Sequence, residues 1–230
     1  MSGDAPPPGH GRLLTGVAWA VLLAGLGLGG SGLSELGGGL AAPATGDVAA
    51  VGRPLGAGLP RAQRPLAPAR PHRVDVPALG IQAPVSARGL DPDGAIDPPP
   101  FEQADTVGWY GGGTRPGAPG VALFVGHVDT RTRPAVFHDL SAVRPGQEIR
   151  VARDDGTTAE FTVEDVEVVT REHFDAAKAY GPHEEDRAEL RLITCGGAFD
   201  RAAHTYTANV IVSAYLTGAD RAGGPGGAEE

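Results

Sequence analysis

The sequence predicts an all-β domain, a closed or nearly closed barrel of about eight short strands. Between residues 73 and 217, apolar residues form short runs with period-two character, and turn-forming residues separate these runs. Two dipeptides, Asp93-Gly94 and Asp155-Gly156, are typical of tight hairpin turns. A parallel α/β fold would need helices of about 10–15 residues between its strands, and the chain lacks that periodicity.

The first strands are predicted from alternation and from one continuous apolar run. Val74 and Val76 alternate with charged neighbours, and a second short run follows at residues 81–85. Residues 121–125 are apolar throughout, as in a strand that is buried on both faces. A short helical turn is expected after this strand, near residues 135–140.

The second half of the domain carries the longer strands. Its apolar runs lie at residues 149–151, 161–169, 190–193 and 210–212. A bulge is expected near Asp165, where the longest run is interrupted. A second short helical turn is expected near residues 172–179, between two of these runs.

An apolar segment precedes the domain. Residues 13–34 carry no charged side chain, and a helix of this length, at ~1.5 Å per residue, exceeds a ~30 Å hydrocarbon core. Arg12 precedes the segment and the next basic residue is Arg53, so the positive-inside rule places residues 1–12 in the cytoplasm. We therefore expect a single-pass anchor in the cell membrane and an extracytoplasmic domain. A cleaved signal peptide, with small residues at 41–44, is the alternative, and it also exports the domain.

Two low-complexity segments flank the predicted domain. Residues 35–72 are rich in Gly, Ala and Pro and have no apolar period, which predicts a disordered linker. Residues 218–230 are predicted to be a disordered tail. The folded domain is therefore expected to span residues 73–217.

The composition excludes several classes of function. Residues 73–217 carry 13 basic and 22 acidic side chains, and an acidic surface repels phosphate backbones, so nucleic acid is not an expected partner. The chain has a single cysteine, which excludes an internal disulfide framework and a cysteine-rich zinc site. The scattered histidines give no metal-site signature. We expect neither a metal nor a cofactor.

Cys195 is either a small buried hydrophobe or a nucleophile, and its neighbours favour the nucleophile. One apolar run ends in Thr-Cys-Gly-Gly at residues 194–197, and another ends in Gly-His-Val-Asp-Thr at residues 126–130. Each reactive side chain therefore lies where a buried strand opens into a glycine-containing segment, which fixes the backbone and leaves the side chain accessible. We expect these two strand ends to meet.

The same segments resemble a known family. Gly-His-Val-Asp-Thr at 126–130 and Leu-Ile-Thr-Cys-Gly-Gly at 192–197 resemble the histidine and cysteine motifs of sortases. Three further stretches resemble the class F sortases of actinobacteria: residues 136–140, 144–146 and 206–210. The similarity covers nearly the whole domain. It implies an eight-stranded β-barrel that acts as a transpeptidase, or hydrolase, at the cell wall.

The resemblance also implies a two-step chemistry. A secreted protein with an LPXTG-like sorting signal is cleaved between Thr and Gly, and its Thr carbonyl is held as a thioester. An amine of a peptidoglycan precursor then takes the acyl group. By position, Cys195 is the nucleophile and His127 is the acid/base. A nearby imidazolium would lower the pKa of the thiol from about 8.5 and favour the thiolate.

The third residue that the family uses is missing from its usual place. Sortases carry an arginine on the strand after the cysteine loop, whereas residues 206–213 contain none. Arg201 is the nearest substitute, and a solvated loop arginine is an equal alternative for it. Backbone N–H groups can also form an oxyanion hole, so loss of this arginine need not abolish activity.

Three neighbours of the motifs are candidates for substrate binding. Thr194 and Gly196 flank the cysteine and can shape the pocket around it. Asp129 either orients His127 or caps a loop, and both roles stay open. His138 is expected to have a structural or surface role.

Two other functions compete with this hypothesis. An L,D-transpeptidase also uses Cys and His in the cell envelope, but its cysteine follows a Ser-x-Gly pattern, whereas Thr194 precedes Cys195 here. A catalytically weak barrel that binds envelope peptides would account for the missing strand arginine.

Overall fold

The computed structural model describes residues 58–92 and 94–221. The strands within them are β1 (Pro71–Val76), β2 (Ile81–Arg88), β3 (Val107–Tyr110), β4 (Gly120–Val125), β5 (Glu148–Arg153), β6 (Thr157–Thr170), β7 (Ala188–Asp200) and β8 (Thr205–Arg221). The helices are short: α1 (Ala176–Tyr180) and 3-10 turns at Pro77–Leu79, Phe101–Gln103, Leu140–Ala142 and Arg171–His173.

The strands close into a barrel in the order β1-β2-β3-β4-β7-β8-β6-β5, in which β5 pairs with β1. The pairs β2 with β3 and β4 with β7 are parallel, and the remaining pairs in this ring are antiparallel. Closure leaves no unpaired edge, which removes the usual template for aggregation. The predicted eight-stranded, all-β architecture with few helices is confirmed.

Side chains that alternate along the strands fill the barrel. The largest fully buried apolar residues include Phe124, Phe137, Phe161, Leu190 and Leu192. Burying each such side chain contributes about 1.5–3 kcal/mol to folding. A smaller apolar cluster of Ala179, Ile193 and Ile211 contains residues from α1, β7 and β8. The end of β7 is therefore packed on both faces, which holds the backbone that leads to Cys195.

The predicted turns and bulge are found where the sequence places them. Gly156, with φ of 79°, lies in the turn between β5 and β6. The register of β6 against β8 shifts between Val163 and Asp165, which is the expected bulge. Asp93 lies outside the described residues, but Gly94 has a φ of 83° in a turn that its N–H closes on the Asp91 carbonyl.

The chain before β1 differs from the expected disordered linker. From Gly58 to β1 the structure contains no helix or strand, yet the segment is attached to the barrel. The N–H groups of Gln63 and Leu66 donate to the carbonyls of Leu216 and Gly117 at 2.8 and 2.7 Å. The guanidinium of Arg153 is only 2% exposed and donates to the carbonyl of Ala67. A buried guanidinium needs acceptors for its N–H groups, and this segment supplies one of them.

The folded unit also extends beyond residues 73–217. β1 begins at Pro71, and β8 continues to Arg221 through pairs with the start of β6. The predicted segments 1–12 and 13–34 lie outside the described residues, as do the first part of the linker and the end of the tail. In the part of the chain that is described, no helix has the length and apolar character needed to cross a bilayer.

Candidate active site

The end of β4 lies beside the middle of β7. β4 and β7 pair in parallel up to Val125 and Ile193, and the N–H of Gly126 donates to the carbonyl of Ile193 at 3.1 Å. Paired strands are about 4.8 Å apart. His127 and Cys195 each follow this last pair by two residues, so the two motif-bearing segments meet as expected. The strand does not end before Cys195, however, because β7 continues to Asp200 and stays paired with β8.

Glycines shape the backbone where the strands open. A Cβ atom at Gly126 would lie 2.6 Å from a ring carbon of Phe137, so only glycine lets the chain pass this close to the core. Gly197 has a φ of 75°, a conformation that favours glycine, and the register of β7 against β8 shifts between Gly196 and Phe199. The chain is therefore redirected immediately after Cys195.

Cys195 opens into a cavity of about 760 Å³. The end of β6, the start of β8 and the segment that follows β4 form its walls, together with the turn after the Leu140–Ala142 helix. Apolar side chains make up much of the lining, among them Val128, Phe137, Val143, Val166, Val168 and Val210. The cysteine itself is half-buried in the wall of this cavity.

The hydroxyl of Thr194 lies in the wall of the same cavity. This residue is 3% exposed, and its Oγ1 is buried without a hydrogen-bond partner among the described residues. An unpaired buried hydroxyl costs about 1–3 kcal/mol, which a polar group entering the cavity would recover. Gly196 lines the cavity as well, so both predicted neighbours of Cys195 belong to its wall.

The imidazole of His127 is held by the segment that connects β2 and β3. Its Nε2 lies 2.6 Å from the carbonyl oxygen of Pro99. Because a carbonyl only accepts, Nε2 must carry a proton and donate it in this bond. The ring also stacks on Phe101, with 4.4 Å between centroids and 22° between planes. His127 is 5% exposed and is not among the residues that line the Cys195 cavity.

The electrostatics of the thiol differ from the expectation. Burial raises the pKa of Cys195 to about 12, the charge of Arg171 lowers it, and the charge of Asp129 raises it. The expected lowering by an imidazolium is not observed: no histidine is among the groups that shift this pKa, and desolvation outweighs the favourable charge of Arg171. At neutral pH the sulfur is therefore a neutral thiol in this arrangement.

Asp129 has a partner that the sequence did not indicate. Its carboxylate accepts a hydrogen bond from the hydroxyl of Tyr206, a residue that lines the cavity. Burial and this bond raise the pKa of Tyr206 to about 12. Of the two roles left open for Asp129, the observed contact matches neither. The pair joins the segment after β4 to β8 beside the cysteine.

Of the remaining predicted residues, His138 lines the cavity and Arg201 does not. Arg201 lies in the turn between β7 and β8, six residues after Cys195, and does not line the cavity. His138, for which a structural or surface role was expected, does line it, and its Nδ1 lies 3.2 Å from the Val128 carbonyl. His173 also lines the cavity.

Arg171 is the functional candidate that sequence reasoning missed. It directly follows β6, and its Nη1 donates to the hydroxyl of Thr205 on β8 at 2.7 Å. The family resemblance predicts the basic group on the strand after the cysteine, with Arg201 in the preceding loop as its substitute. The signal that could have found Arg171 is its place at the end of the longest apolar run, which pairs with that strand.

Several of the solved structures that resemble this fold are sortases. Sortase C-3 from Streptococcus pneumoniae matches with a TM-score of 0.51 and 15% identity, covering 69% of this chain and 68% of that chain. Sortase A from Corynebacterium diphtheriae, lid mutant, matches with a TM-score of 0.49 and 21% identity, covering 70% of this chain and 74% of that chain. Sortase C-1 from Actinomyces oris matches with a TM-score of 0.48 and 20% identity, covering 64% of this chain and 73% of that chain.

A comparison with curated proteins finds no match. The Sortase domain family model, in contrast, matches residues 74–217, which is more than half of the chain and nearly all of the barrel. The protein therefore belongs to the sortase family, whose members are cysteine transpeptidases.

Proposed function

We propose that this protein is a membrane-anchored, extracytoplasmic sortase that cleaves an LPXTG-like sorting signal and transfers the acyl group to a cell-wall amine. One observation carries the proposal. The lone cysteine opens into a large, mostly apolar cavity beside the unpaired hydroxyl of Thr194. A nucleophile, space for a peptide and an unused hydrogen-bonding group thus occur together.

The cavity suits an extended peptide segment. Its volume of about 760 Å³ lies within the range of ~300–1,000 Å³ that is usual for ligand sites. The valine side chains of β6 and β8 give apolar contacts for the Leu and Pro of the signal. Thr194 Oγ1 donates a hydrogen bond to a backbone carbonyl of the bound peptide, which removes the cost of leaving that hydroxyl unpaired.

The first half-reaction forms a thioester. A proton passes from Cys195 to His127, and the thiolate attacks the Thr carbonyl carbon, whose π electrons move to the oxygen. When the carbonyl reforms, the C–N bond to Gly breaks, and the departing amine takes the proton from His127. Because Nε2 donates to Pro99, we assign this proton exchange to Nδ1 of the ring.

The second half-reaction reverses these steps with a different amine. The amine of a peptidoglycan precursor attacks the thioester, and His127 accepts its proton as the new C–N bond forms. Cys195 leaves as the thiolate and is reprotonated by His127. The sequence of steps returns both residues to their starting state and requires no cofactor.

Features of the sequence support the proposed subclass, the membrane anchor and the extracytoplasmic location of the barrel. The stretches at 136–140, 144–146 and 206–210 support class F within the family. The apolar segment 13–34 supports a membrane anchor, and the positive-inside rule supports an extracytoplasmic barrel. Secreted proteins with a sorting signal and a peptidoglycan-precursor amine are the partners. The L,D-transpeptidase alternative loses its support, because the family match covers the barrel.

A peptide assay tests the proposal. The full chain, purified in mild detergent, is incubated with a fluorescent LPXTG-type peptide and an amine acceptor. We expect cleavage between Thr and Gly, an amide product with the acceptor, and a mass adduct of the acyl group on Cys195. A peptide with the same residues in scrambled order is the control. Peptide binding without product or adduct would instead support the non-catalytic, peptide-binding barrel.

Phe101 provides a test of how His127 is positioned. We expect Phe101→Ala to lower kcat by roughly 10-fold with little change in KM, because the imidazole loses its stacking partner and its alignment. Phe101→Tyr keeps the ring and should retain most of the activity. Steady-state peptide cleavage measures both variants. A higher kcat in Phe101→Ala would contradict the positioning role and indicate that this segment blocks the histidine.

A further inference from the structure

The proposed chemistry forms negative charge twice in a poorly solvated place. The thiolate of Cys195 and the oxyanion of the tetrahedral intermediate both arise beside Asp129, whose charge already raises the pKa of the thiol. Fixed positive charge near such centres is usually the largest contribution to catalysis of acyl transfer. The strand opposite Cys195, β8, has no arginine at residues 206–213. A cation in this role would therefore come from another element.

The end of β6 lies next to the part of β8 that faces the cysteine. Thr170 on β6 pairs with Ala208 on β8, and Ala208 pairs in turn with Gly196 on β7. These three residues form one row across neighbouring strands, so Thr170 is about 10 Å from the residue that follows Cys195. Thr170 and Cys195 line the same cavity.

Arg171 reaches from the end of β6 across to β8. Its Nη1 donates to Thr205 Oγ1 at 2.7 Å, and Thr205 is the first residue of β8, the strand between β6 and β7. Thr205 pairs with Asp200 of β7, so the guanidinium is held over the hairpin that Cys195 precedes. Its charge acts on the thiol in the favourable direction, against that of Asp129.

We propose that Arg171, held by Thr205, is the cation that stabilises the Cys195 thiolate and the oxyanion of the acyl intermediate. The proposal rests on the transpeptidase function proposed above. It moves the arginine of this reaction from the strand after the cysteine to the end of β6, which pairs with that strand.

Other groups around the cavity are less suitable for this role. Arg144 lines the cavity, but its Nη1 donates to the carbonyls of Ser141 and Val143, which direct it along its own turn. His138 and His173 reach the cavity, but the Nδ1 of each is engaged elsewhere, 3.2 Å from the Val128 carbonyl and 2.8 Å from the Thr170 hydroxyl. Neither Arg201 nor Arg171 is among the residues that line the cavity, but the charge of Arg171 acts on the Cys195 thiol, and Arg201 is not among the groups that shift its pKa.

Alkylation of Cys195 tests the charge without any peptide substrate. In the full chain, Arg171→Gln should slow the reaction with iodoacetamide at pH 8 by roughly 5–10-fold, because fewer sulfurs are ionised. The reaction with iodoacetate should slow further, since this reagent is itself an anion that Arg171 attracts. Arg171→Lys should stay within about 2-fold of wild type, because the charge is kept. Arg115→Gln, an exposed arginine outside the site, controls for lost net charge.

Turnover tests the second half of the proposal. We expect kcat for peptide cleavage to fall about 100-fold in Arg171→Gln and about 10-fold in Arg171→Lys, which lacks the planar fork. Thr205→Val removes the anchoring hydroxyl and should lower kcat more than it raises KM. The thermal midpoint should change little, because Arg171 is exposed.

Two results would overturn the inference. One is an Arg171→Gln variant whose alkylation rates with both reagents stay within 2-fold of wild type. The other is a variant Arg201→Gln that produces the losses expected for Arg171. If wild type cleaves no sorting peptide, the function proposed above fails, while the alkylation series still decides whether Arg171 acts on the thiol.

Discussion

Replacing Cys195 with alanine is expected to abolish thioester formation and lower acyl transfer by at least about 10⁴-fold. The side chain provides the only thiol of the chain, and neither His127 nor Thr194 can substitute as an acyl carrier in this geometry. Cys195→Ser should be nearly as inactive, because a hydroxyl ionises far less readily than a thiol. Product formation from a fluorescent sorting peptide, with mass spectrometry of the acyl adduct, measures both variants.

The cavity should survive this substitution. Cys195 is half-buried, and the glycines and paired strands around it stay in place, so the alanine variant should still bind the peptide. Fluorescence anisotropy should give a Kd within about 3-fold of that of wild type. Residual transfer above 1% of the wild-type rate, in a preparation free of wild type, would contradict the role of this cysteine.

The same residue links stability to alkaline pH. The pKa of Cys195 is raised to about 12 in the folded protein, whereas an unfolded thiol ionises near pH 8.5. The folded state therefore retains a proton that the unfolded state releases. The resulting stability is complete below about pH 8.5 and is lost as pH rises toward 12. Cys195→Ala has no thiol to ionise and so does not lose stability in this way. Its free energy of unfolding relative to wild type, measured by urea titration, should therefore increase steadily above pH 9.

Local patterns predicted the parts of this site that lie on strands. The apolar runs at 121–125 and 190–193 are long enough to be buried, and each ends in a glycine-containing segment. This pattern is the basis for expecting the His127 and Cys195 segments to meet, and the pairing of β4 with β7 agrees with it. The bulge at Asp165 followed in the same way, because a polar residue interrupts an apolar run.

Partners chosen by tertiary packing could not be predicted in this way. Pro99 reaches His127 from a loop 28 residues earlier, and nothing in its local sequence indicates a histidine as partner. Arg171 depends on the pairing of β6 with β8, which no period or spacing along the chain specifies. The attachment of residues near Ala67 depends on Arg153, which is buried although arginines usually lie at the surface.

Glu189→Gln is expected to destabilise the fold by about 3–5 kcal/mol. The carboxylate is 0% exposed and accepts hydrogen bonds from the backbone N–H groups of His183 and Glu184. It also accepts from the guanidinium groups of Arg187 and Arg191, which are themselves buried. Removing its charge leaves two buried cations without this counter-ion. Urea unfolding measures the loss, and exposed Glu185→Gln, in the same loop, should change stability by less than about 0.5 kcal/mol.

The destabilisation caused by Glu189→Gln should decrease at acidic pH. Burial alone would raise the pKa of Glu189, but the two backbone N–H groups and Arg191 outweigh it and hold this pKa below its ordinary value of 4.5. The stabilisation is therefore present above about pH 4.5 and is lost as pH falls below that value. The difference between wild type and Glu189→Gln should shrink in the same range. A difference that stays constant down to pH 3 would show that the charge is not its source.

Stability and catalysis should separate along β7, because Glu189 lies at the start of this strand and Cys195 lies six residues further along it. At 15 °C, where most of the Glu189→Gln protein remains folded, kcat should stay within about 3-fold of wild type, whereas Cys195→Ala is folded but inactive. Replacing Glu189 and Arg191 together by Leu and Met should cost less than Glu189→Gln alone, since Arg191 is removed along with its carboxylate partner and Arg187 keeps its ion pairs with Glu164 and Glu184. A double variant less stable than the single one would mean that Glu189 acts mainly by holding the backbone of residues 183 and 184.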